Sequence, residues 1–245
     1  KGFFFFFSMI YGPQGSAKTT TSEIIKTILD PSAMKTTRLS RDINEVTQVI
    51  AHSWITIFDN VSTDNFFDST SDLFCTVITG GGVSKRELYS DDDDIIYDLQ
   101  RVIGLNGINL AATKPDLLDR SILIELARIP EEKRKSIDDV NTDFKEKLPG
   151  ILGGIFDTIV KAINIKPTLG FTKLHRMADF TVWGTAIAIA LGYTQEQFFS
   201  AYTNNIKQQN ESVINDSLVA ILISNLLVKE DSWKGTPTQL LEKLG

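Results

Sequence analysis

The sequence Gly-Pro-Gln-Gly-Ser-Ala-Lys-Thr, at residues 12–19, decides the fold prediction for this chain. An apolar run precedes it at residues 3–10, and residues 18–29 follow with isoleucine and leucine at helical spacing. A glycine-rich turn between a strand and a helix can wrap backbone N–H groups around phosphate oxygens. The pattern G-x-x-x-x-G-K-[ST] describes such a loop, and Ala17 is the one departure from it. The stretch therefore predicts a phosphate-binding loop (P-loop).

The loop residues have separate expected roles. Lys18 would bring a positive charge to the β- and γ-phosphates of ATP, and the Thr19 hydroxyl would ligate Mg²⁺. Ala17 adds one methyl group, which is tolerated if its backbone is helical. We therefore expect ATP and Mg²⁺ as cofactors. The predicted nucleotide-binding residues are Gly12, Pro13, Gln14, Gly15, Ser16, Ala17, Lys18, Thr19 and Thr20.

Composition narrows the class of protein. The 245 residues are 42% hydrophobic and 23% charged, which is ordinary for a globular chain, and the net charge of −6 limits nucleic-acid contact to a local basic patch. One cysteine, Cys75, and two histidines argue against a disulfide framework or a zinc cluster and suit the cytoplasm. We find no run of about 18 apolar residues and no signal peptide. A chain that opens on a strand is expected to be part of a longer protein.

The first half alternates strand and helix patterns, which predicts an α/β domain with a mainly parallel sheet. Five candidate strands lie at residues 3–10, 36–40, 54–58, 101–105 and 121–126. A charged helix or linker is expected at 131–141, and the later patterns are helical, with interruptions at Pro149 and the nearby glycines. We predict a P-loop core at 1–130, an all-helical lid region at 131–231 and the start of another unit at 232–245.

A carboxylate on a neighbouring strand should hold Mg²⁺ through water. Asp59 follows the apolar strand at 54–58, and the spacing predicts one strand between it and the P-loop strand. Asn60 stands where many such ATPases have a glutamate as catalytic base, with Glu23 and Asp64 as weaker substitutes. Asn106 ends another strand and would either orient the attacking water or form an Asn-Gly turn.

Basic residues suggest two further contacts. Arg120 precedes the last strand and would act as an arginine finger on a neighbouring subunit, or be an ordinary surface residue. Lys85 and Arg86 lie beside a predicted hairpin at 87–98 with an acidic turn. They would contact a phosphate backbone, or form a solvated pair.

These motifs together resemble a known family. It comprises bacterial, phage and plasmid ATP-binding proteins related to AAA+ and superfamily 3 replicative helicases, often fused to primase-polymerase modules. The resemblance covers nearly the whole chain. It rests on residues 12–19, 58–62, 75–89, 105–108, 114–120 and 176–180, in that order.

The resemblance implies a P-loop NTPase with a five-stranded sheet, assembled as a hexamer with ATP sites between subunits. It implies that Asn106 is a sensor, that Arg120 is the finger acting in trans, and that Lys85 and Arg86 meet DNA, more specifically single-stranded DNA. Arg176 would be a lid arginine, Asn60 is usual in this group, and residues 232–245 would begin a winged-helix-like unit.

Three functions remain open from the sequence. The first is an ATP-driven DNA helicase or translocase, with Lys18, Asp59, Asn60, Asn106 and Arg120 as catalytic residues. The second is a nucleotide-dependent assembly switch or loader with weak hydrolysis, which Asn60 motivates. A small-molecule kinase fits the helical lid poorly.

Overall fold

The computed structural model describes residues 7–63, 66–86, 94–108, 114–215, 218–230 and 232–244. Its strands are β1 Phe7–Tyr11, β2 Ile55–Phe58, β3 Gly81–Arg86, β4 Asp94–Leu99, β5 Val102–Gly107 and β6 Ser121–Glu125. Its helices are α1 Lys18–Leu29, α2 Ile43–Ala51, α3 Asp68–Thr79, α4 Pro115–Leu118, α5 Ile137–Ile165, α6 Ala178–Ala190, α7 Gln195–Asn215, α8 Leu218–Lys229 and α9 Pro237–Leu244.

The main sheet is parallel and has the strand order β2-β5-β1-β6. The α/β class is confirmed, and β5 lies between the P-loop strand β1 and β2, as the spacing predicts. The prediction of five strands is wrong, because the described sheet has four. Of the candidate at 36–40, only Thr37 pairs, in one bridge to Phe58. The next helix begins shortly afterwards, where Asp42 caps α2 and accepts a hydrogen bond from the Asn44 backbone N–H at 2.8 Å.

Aromatic packing anchors the sheet to α3. Phe7 is fully buried, and its ring centroid lies 5.8 Å from that of Phe74 on α3. Phe58 at the end of β2 stacks on Phe74 from 5.5 Å. This shared ring joins the first residue of β1 and the last residue of β2 to one helix.

The second sheet is the antiparallel hairpin of β3 and β4. It begins earlier than predicted, because Gly80 alone ends α3, at φ 82°, and Gly81 already starts β3. A Cβ at Gly81 would lie 2.5 Å from Cγ2 of Thr76, so glycine is needed for this close approach. The predicted acidic turn at 91–94 lies mostly outside the described residues.

The helical half differs from prediction in α5, which runs without a break through Pro149. Its length and composition would also allow a membrane crossing: the span Ile137–Thr168 contains a window of mean hydropathy 1.4, of which 6% is buried. The sequence prediction missed this because Asp157 and Lys161 interrupt the apolar run at 148–165. A single apolar helix is weak evidence for a span.

Helix α7 covers the edge strand β6 with two side-chain amides. Asn205 accepts from the Leu123 backbone N–H at 3.0 Å and donates to the Leu123 carbonyl at 2.7 Å. Gln209 donates to the Ser121 carbonyl at 2.7 Å. The two amides pair with β6 as a further strand would, so this edge is closed to other chains.

Candidate nucleotide-binding site

The loop at residues 12–17 has the backbone that a phosphate cradle needs. Gly12 and Gly15 have φ values of 148° and 78°, where side chains are disfavoured. A Cβ at Gly12 would also lie 2.2 Å from the Leu126 carbonyl oxygen. The Ser16 hydroxyl donates to the Pro13 carbonyl at 2.9 Å and closes the turn.

Ala17 does not have the helical backbone that we expected. It is the N-cap of α1 and lies in the left-handed region, at φ 58° and ψ 31°. An L-residue in this region costs roughly 1–2 kcal/mol relative to the right-handed conformation. The loop keeps the turn that the usual glycine makes, and the methyl group of Ala17 strains it.

Lys18 and Thr19 lie at the carboxyl edge of the sheet with Asp59. The Lys18 ammonium donates to the carbonyls of Gly12 and Pro13 at 2.8 and 2.9 Å, so it points into the loop. The Thr19 hydroxyl donates to Oδ1 of Asp59 at 3.2 Å. Hard oxygen atoms this close suit Mg²⁺, which needs few protein ligands when phosphate oxygens supply others. Within the described residues, no group of three or more histidine, cysteine or acidic side chains could hold a metal alone.

Asn106 lies beside this pair and holds two segments in place. Its Oδ1 accepts from the Asn60 backbone N–H at 2.9 Å, and its Nδ2 donates to the Ser22 hydroxyl of α1 at 3.2 Å. The alternative of an Asn-Gly turn is wrong, because Asn106 and Gly107 lie within β5 and Asn106 is 2% exposed. Asn60 has a φ of 53°, which asparagine tolerates better than most residues. Asn106 thus fixes the loop after Asp59 to the P-loop helix.

Of the two substitutes for a catalytic base, Glu23 forms an ion pair of 3.7 Å with Lys35. Asp64 lies outside the described residues. Lys85 and Arg86 belong to β3 itself, in register with Ile95 and Asp94 of β4.

Arg120 lies at the amino edge of the sheet, where the parallel strands begin, opposite the carboxyl edge that carries the P-loop. Its carbonyl accepts from the backbone N–H of Phe7, the first residue of β1, whereas the P-loop follows the last. The Arg120 guanidinium contacts the carboxylate of Asp116 and, at 3.7 Å, Sγ of Cys75. Five strand residues of about 3.3 Å each separate the two edges by roughly 17 Å. Arg120 therefore does not serve the P-loop of its own subunit.

Arg176 joins the same edge and is not a lid arginine over its own P-loop. It donates to Asp116 at 2.6 Å and to Asp119 at 2.5 Å. The hydrogen bond from Arg120, and then that from Arg176, lowers the pKa of Asp116 to about 2. Burial, together with the Asp116 carboxylate, raises the pKa of the Cys75 thiol to about 11. The edge is therefore a closed network of charges.

One part of the site was missed from the sequence. A cleft of about 950 Å³ lies between the P-loop with α1 and residues 128–140, which include four basic side chains. These are Arg128, Lys133, Arg134 and Lys135. The sequence predicts only a charged helix or linker from residue 131. The available signal was four cations within eight residues of an acidic chain.

A match to a known protein family shows in which kind of protein this site occurs. The sequence model described as "Actinomycete integrative conjugative element replication protein" matches residues 6–210. The chain belongs to this family. It is therefore a replication protein of a mobile element. No match was found among curated proteins.

The solved structures that this chain partly resembles include helicases. "SCCmec type IV Cch - active helicase" is 14% identical at a TM-score of 0.47, covering 96% of this chain and 50% of that one. The apo C-terminal region of NrS-1 is 15% identical at 0.42, covering 60% and 35%. "The X-ray structure of JCV Helicase" is 11% identical at a TM-score of 0.36, covering 78% of this chain and 56% of that one. The chain thus spans between a third and somewhat over half of the length of these proteins.

Proposed function

We propose that this replication protein is an ATPase that hydrolyses ATP with Mg²⁺ to unwind or translocate on DNA. The observation that carries the proposal is the hydrogen bond of 3.2 Å between the Thr19 hydroxyl and Asp59, beside the Lys18 ammonium. Thr19 and Asp59 would hold Mg²⁺, and Lys18 would turn from the loop carbonyls to the phosphates. The loop residues 12–20 would surround those phosphates.

The catalytic roles of the remaining residues follow from their positions. Asn60 and Asn106 adjoin Asp59, so they would orient the attacking water, directly or through the loop that Asn106 holds. Arg120 lies roughly 17 Å away at the other edge, so it would serve only a neighbouring subunit. An arginine finger supplied in trans stabilises transition-state charge. The active unit would therefore be a homo-oligomer, and we propose a hexameric ring.

DNA is the nucleic acid on which we expect this protein to act, because the family is one of replication proteins. The hairpin strand β3 carries Lys85 and Arg86, and we propose that they contact the phosphate backbone of single-stranded DNA. A primase-polymerase module, in cis or in trans, would cooperate with the motor in the cytoplasm.

A second candidate is a switch or loader that hydrolyses ATP slowly and does not unwind DNA. The observation in its favour is the absence of a carboxylate at position 60, where Asn60 cannot accept a proton from water. In this case ATP binding would time the assembly of partners.

The test compares Lys18→Ala with Lys145→Ala, an exposed lysine of α5 as the matched control. ATP turnover is measured with and without single-stranded DNA, together with strand separation on a forked duplex. We expect DNA to stimulate turnover in the natural chain and in Lys145→Ala, and Lys18→Ala to lose nucleotide affinity by at least about 100-fold.

The outcomes separate the two candidates. Turnover with strand separation supports the motor. Slow turnover without strand separation, in a sample that forms oligomers, supports the loader. Turnover unaffected by Lys18→Ala would refute both.

A further inference from the structure

The cleft beside the P-loop has the position and size for the nucleoside part of a nucleotide. It opens next to Gly15 and Ala17 and extends past Thr20 and Thr21 of α1. Its volume of about 950 Å³ lies within the range of small-molecule sites. The cleft opens directly beside the loop, so a triphosphate held there would leave its ribose and base on this side. Residues 126–129, which lead into the far wall, are fixed to the loop. The Leu126 backbone N–H donates to the Tyr11 carbonyl at 2.8 Å, and the Ile129 backbone N–H donates to the Gly15 carbonyl at 3.0 Å.

The walls of the cleft are aliphatic on both sides. Ile24 of α1 faces the cleft from the P-loop side, and Ile129, Ile137 and Val140 face it from the other. Ile137 begins α5 and is 53% exposed, so it has apolar surface left to cover. Ile137 and Val140 are three residues apart and therefore share one face of the helix. An aromatic ring between such walls would bury apolar surface from both.

The polar groups of the cleft are mainly cations. Arg134 lies over the loop, since a Cβ at Gly15 would be 3.6 Å from its Nη2 atom, and its Nε donates to the Ile129 carbonyl at 3.3 Å. Among the described residues, no carboxylate lies within ion-pair distance of Arg128 or Lys133. Guanidinium groups stack on any base and bind any phosphate. They can also donate to guanine O6 and N7, but Arg128 and Arg134 are exposed, so such hydrogen bonds would compete with water.

The groups that would distinguish one purine from another are scarce. Adenine presents an amino group and guanine an N–H and an amino group, and reading these donor groups requires well-placed acceptors. The described residues that line the cleft include no aspartate or glutamate; their side-chain acceptors are Gln14, Thr20 and Thr21. Gln14 is exposed, and the two threonines lie next to the phosphate end.

We propose that this cleft binds the base and ribose of purine nucleoside triphosphates through its aliphatic walls and arginines, without selecting adenine over guanine. The proposal rests on the function proposed above and extends it from ATP to both purine nucleotides. A site that reads a base by buried hydrogen bonds rejects the wrong one by 10⁴-fold or more, whereas apolar walls discriminate by only roughly 10–200-fold even between groups of different size. Adenine and guanine have nearly the same shape, so apolar walls should separate them less still. We therefore expect the dissociation constants of ATP and GTP to differ by less than about tenfold.

The experiment measures binding of ATP, GTP and inorganic tripolyphosphate to the full chain with Mg²⁺, by calorimetry. The variant is Ile137→Ala/Val140→Ala, and the matched control is Ile159→Ala/Val160→Ala, the same pair of residue types further along α5. Alanine favours helix, so both variants keep α5. The cleft variant should bind both nucleotides about tenfold more weakly, because it loses apolar contact with the base, and tripolyphosphate unchanged. The control should bind all three like the natural chain.

Two results would overturn the proposal while leaving the ATPase intact. One is a preference for ATP over GTP above about 100-fold. The other is unchanged nucleotide affinity in the cleft variant, with Lys18→Ala still abolishing binding. If neither nucleotides nor tripolyphosphate bind in a Lys18-dependent manner, the P-loop function itself fails, and the cleft proposal fails with it.

Discussion

The carboxyl and amino ends of the parallel strands, called here the carboxyl and amino edges, differ in how their charged side chains are paired. At the carboxyl edge, the Lys18 ammonium contacts only loop oxygens, and Asp59 is paired with a neutral hydroxyl. At the amino edge, Arg120 and Arg176 share the carboxylate of Asp116. The first edge has charges available to a ligand, whereas the second has its charges neutralised within the subunit. The binding half and the finger half of the proposed site thus belong to opposite edges, and only an oligomer could join them.

The sharpest way to test this division is Arg120→Ala. Turnover should fall by about 10³-fold or more, because transition-state charge loses its partner, while ATP affinity stays unchanged. Arg41→Ala, which removes an exposed arginine stacked on Phe67, is the control. Mixing the Arg120→Ala and Lys18→Ala chains should restore part of the activity, since some interfaces then carry both intact halves. Unchanged turnover in Arg120→Ala would assign Arg120 to structure alone.

A second test changes the carboxyl edge without touching the loop. Asp59→Asn keeps the size and the hydrogen bond with Thr19 but removes the charge, so Mg²⁺ affinity in the presence of ATP should fall by 10–100-fold. The measurement is turnover against Mg²⁺ concentration, with Asp42→Asn as a control that keeps the cap of α2. If the Mg²⁺ dependence of Asp59→Asn equals that of the natural chain, the metal is held elsewhere.

A third test removes the side-chain amide that pairs with strand β6. Asn205→Ala leaves the N–H and carbonyl of Leu123 without their partner, so the free energy of unfolding should fall by about 2 kcal/mol. Asn204→Ala, at the exposed neighbouring position of α7, should leave it nearly unchanged. Chemical denaturation of both variants checks this. Equal stability would mean that water replaces the amide at β6.

The smallest expected effect is on titration at the amino edge. The pKa of Asp116, about 2 in the folded chain, lies below its unfolded value, so its ion pairs stabilise the fold above that unfolded value. This stabilisation is lost as the pH falls through the folded pKa. Arg176→Ala should raise the pKa of Asp116 and move the loss to higher pH, as NMR titration of the carboxyl would show; Arg134→Ala is the control. If the pKa of Asp116 is the same in Arg176→Ala as in the natural chain, Arg176 does not contribute to lowering it.

Local patterns in the sequence were sufficient for the phosphate loop and most elements around it. Residues 12–19 predicted the turn and α1, and the distance from Lys18 to Asp59 predicted the intervening strand, which is confirmed by β5. These predictions succeed because glycine, apolar runs and helical spacing act on neighbouring residues. Local patterns failed for the fifth strand, because pairing at a sheet edge depends on which segments pack alongside.

The sequence by itself determined that strand, loop and helix follow one another with Lys18, Thr19 and a later Asp59 in place. Only the tertiary structure decided that the buried Asn106 links the loop after Asp59 to α1, that Arg120 lies far from its own P-loop, and that residues 128–140 form a wall of the cleft. Those facts depend on which strands pair and on contacts between residues more than a hundred positions apart, such as Gly15 and Ile129. Such contacts are set by the packing of the whole chain.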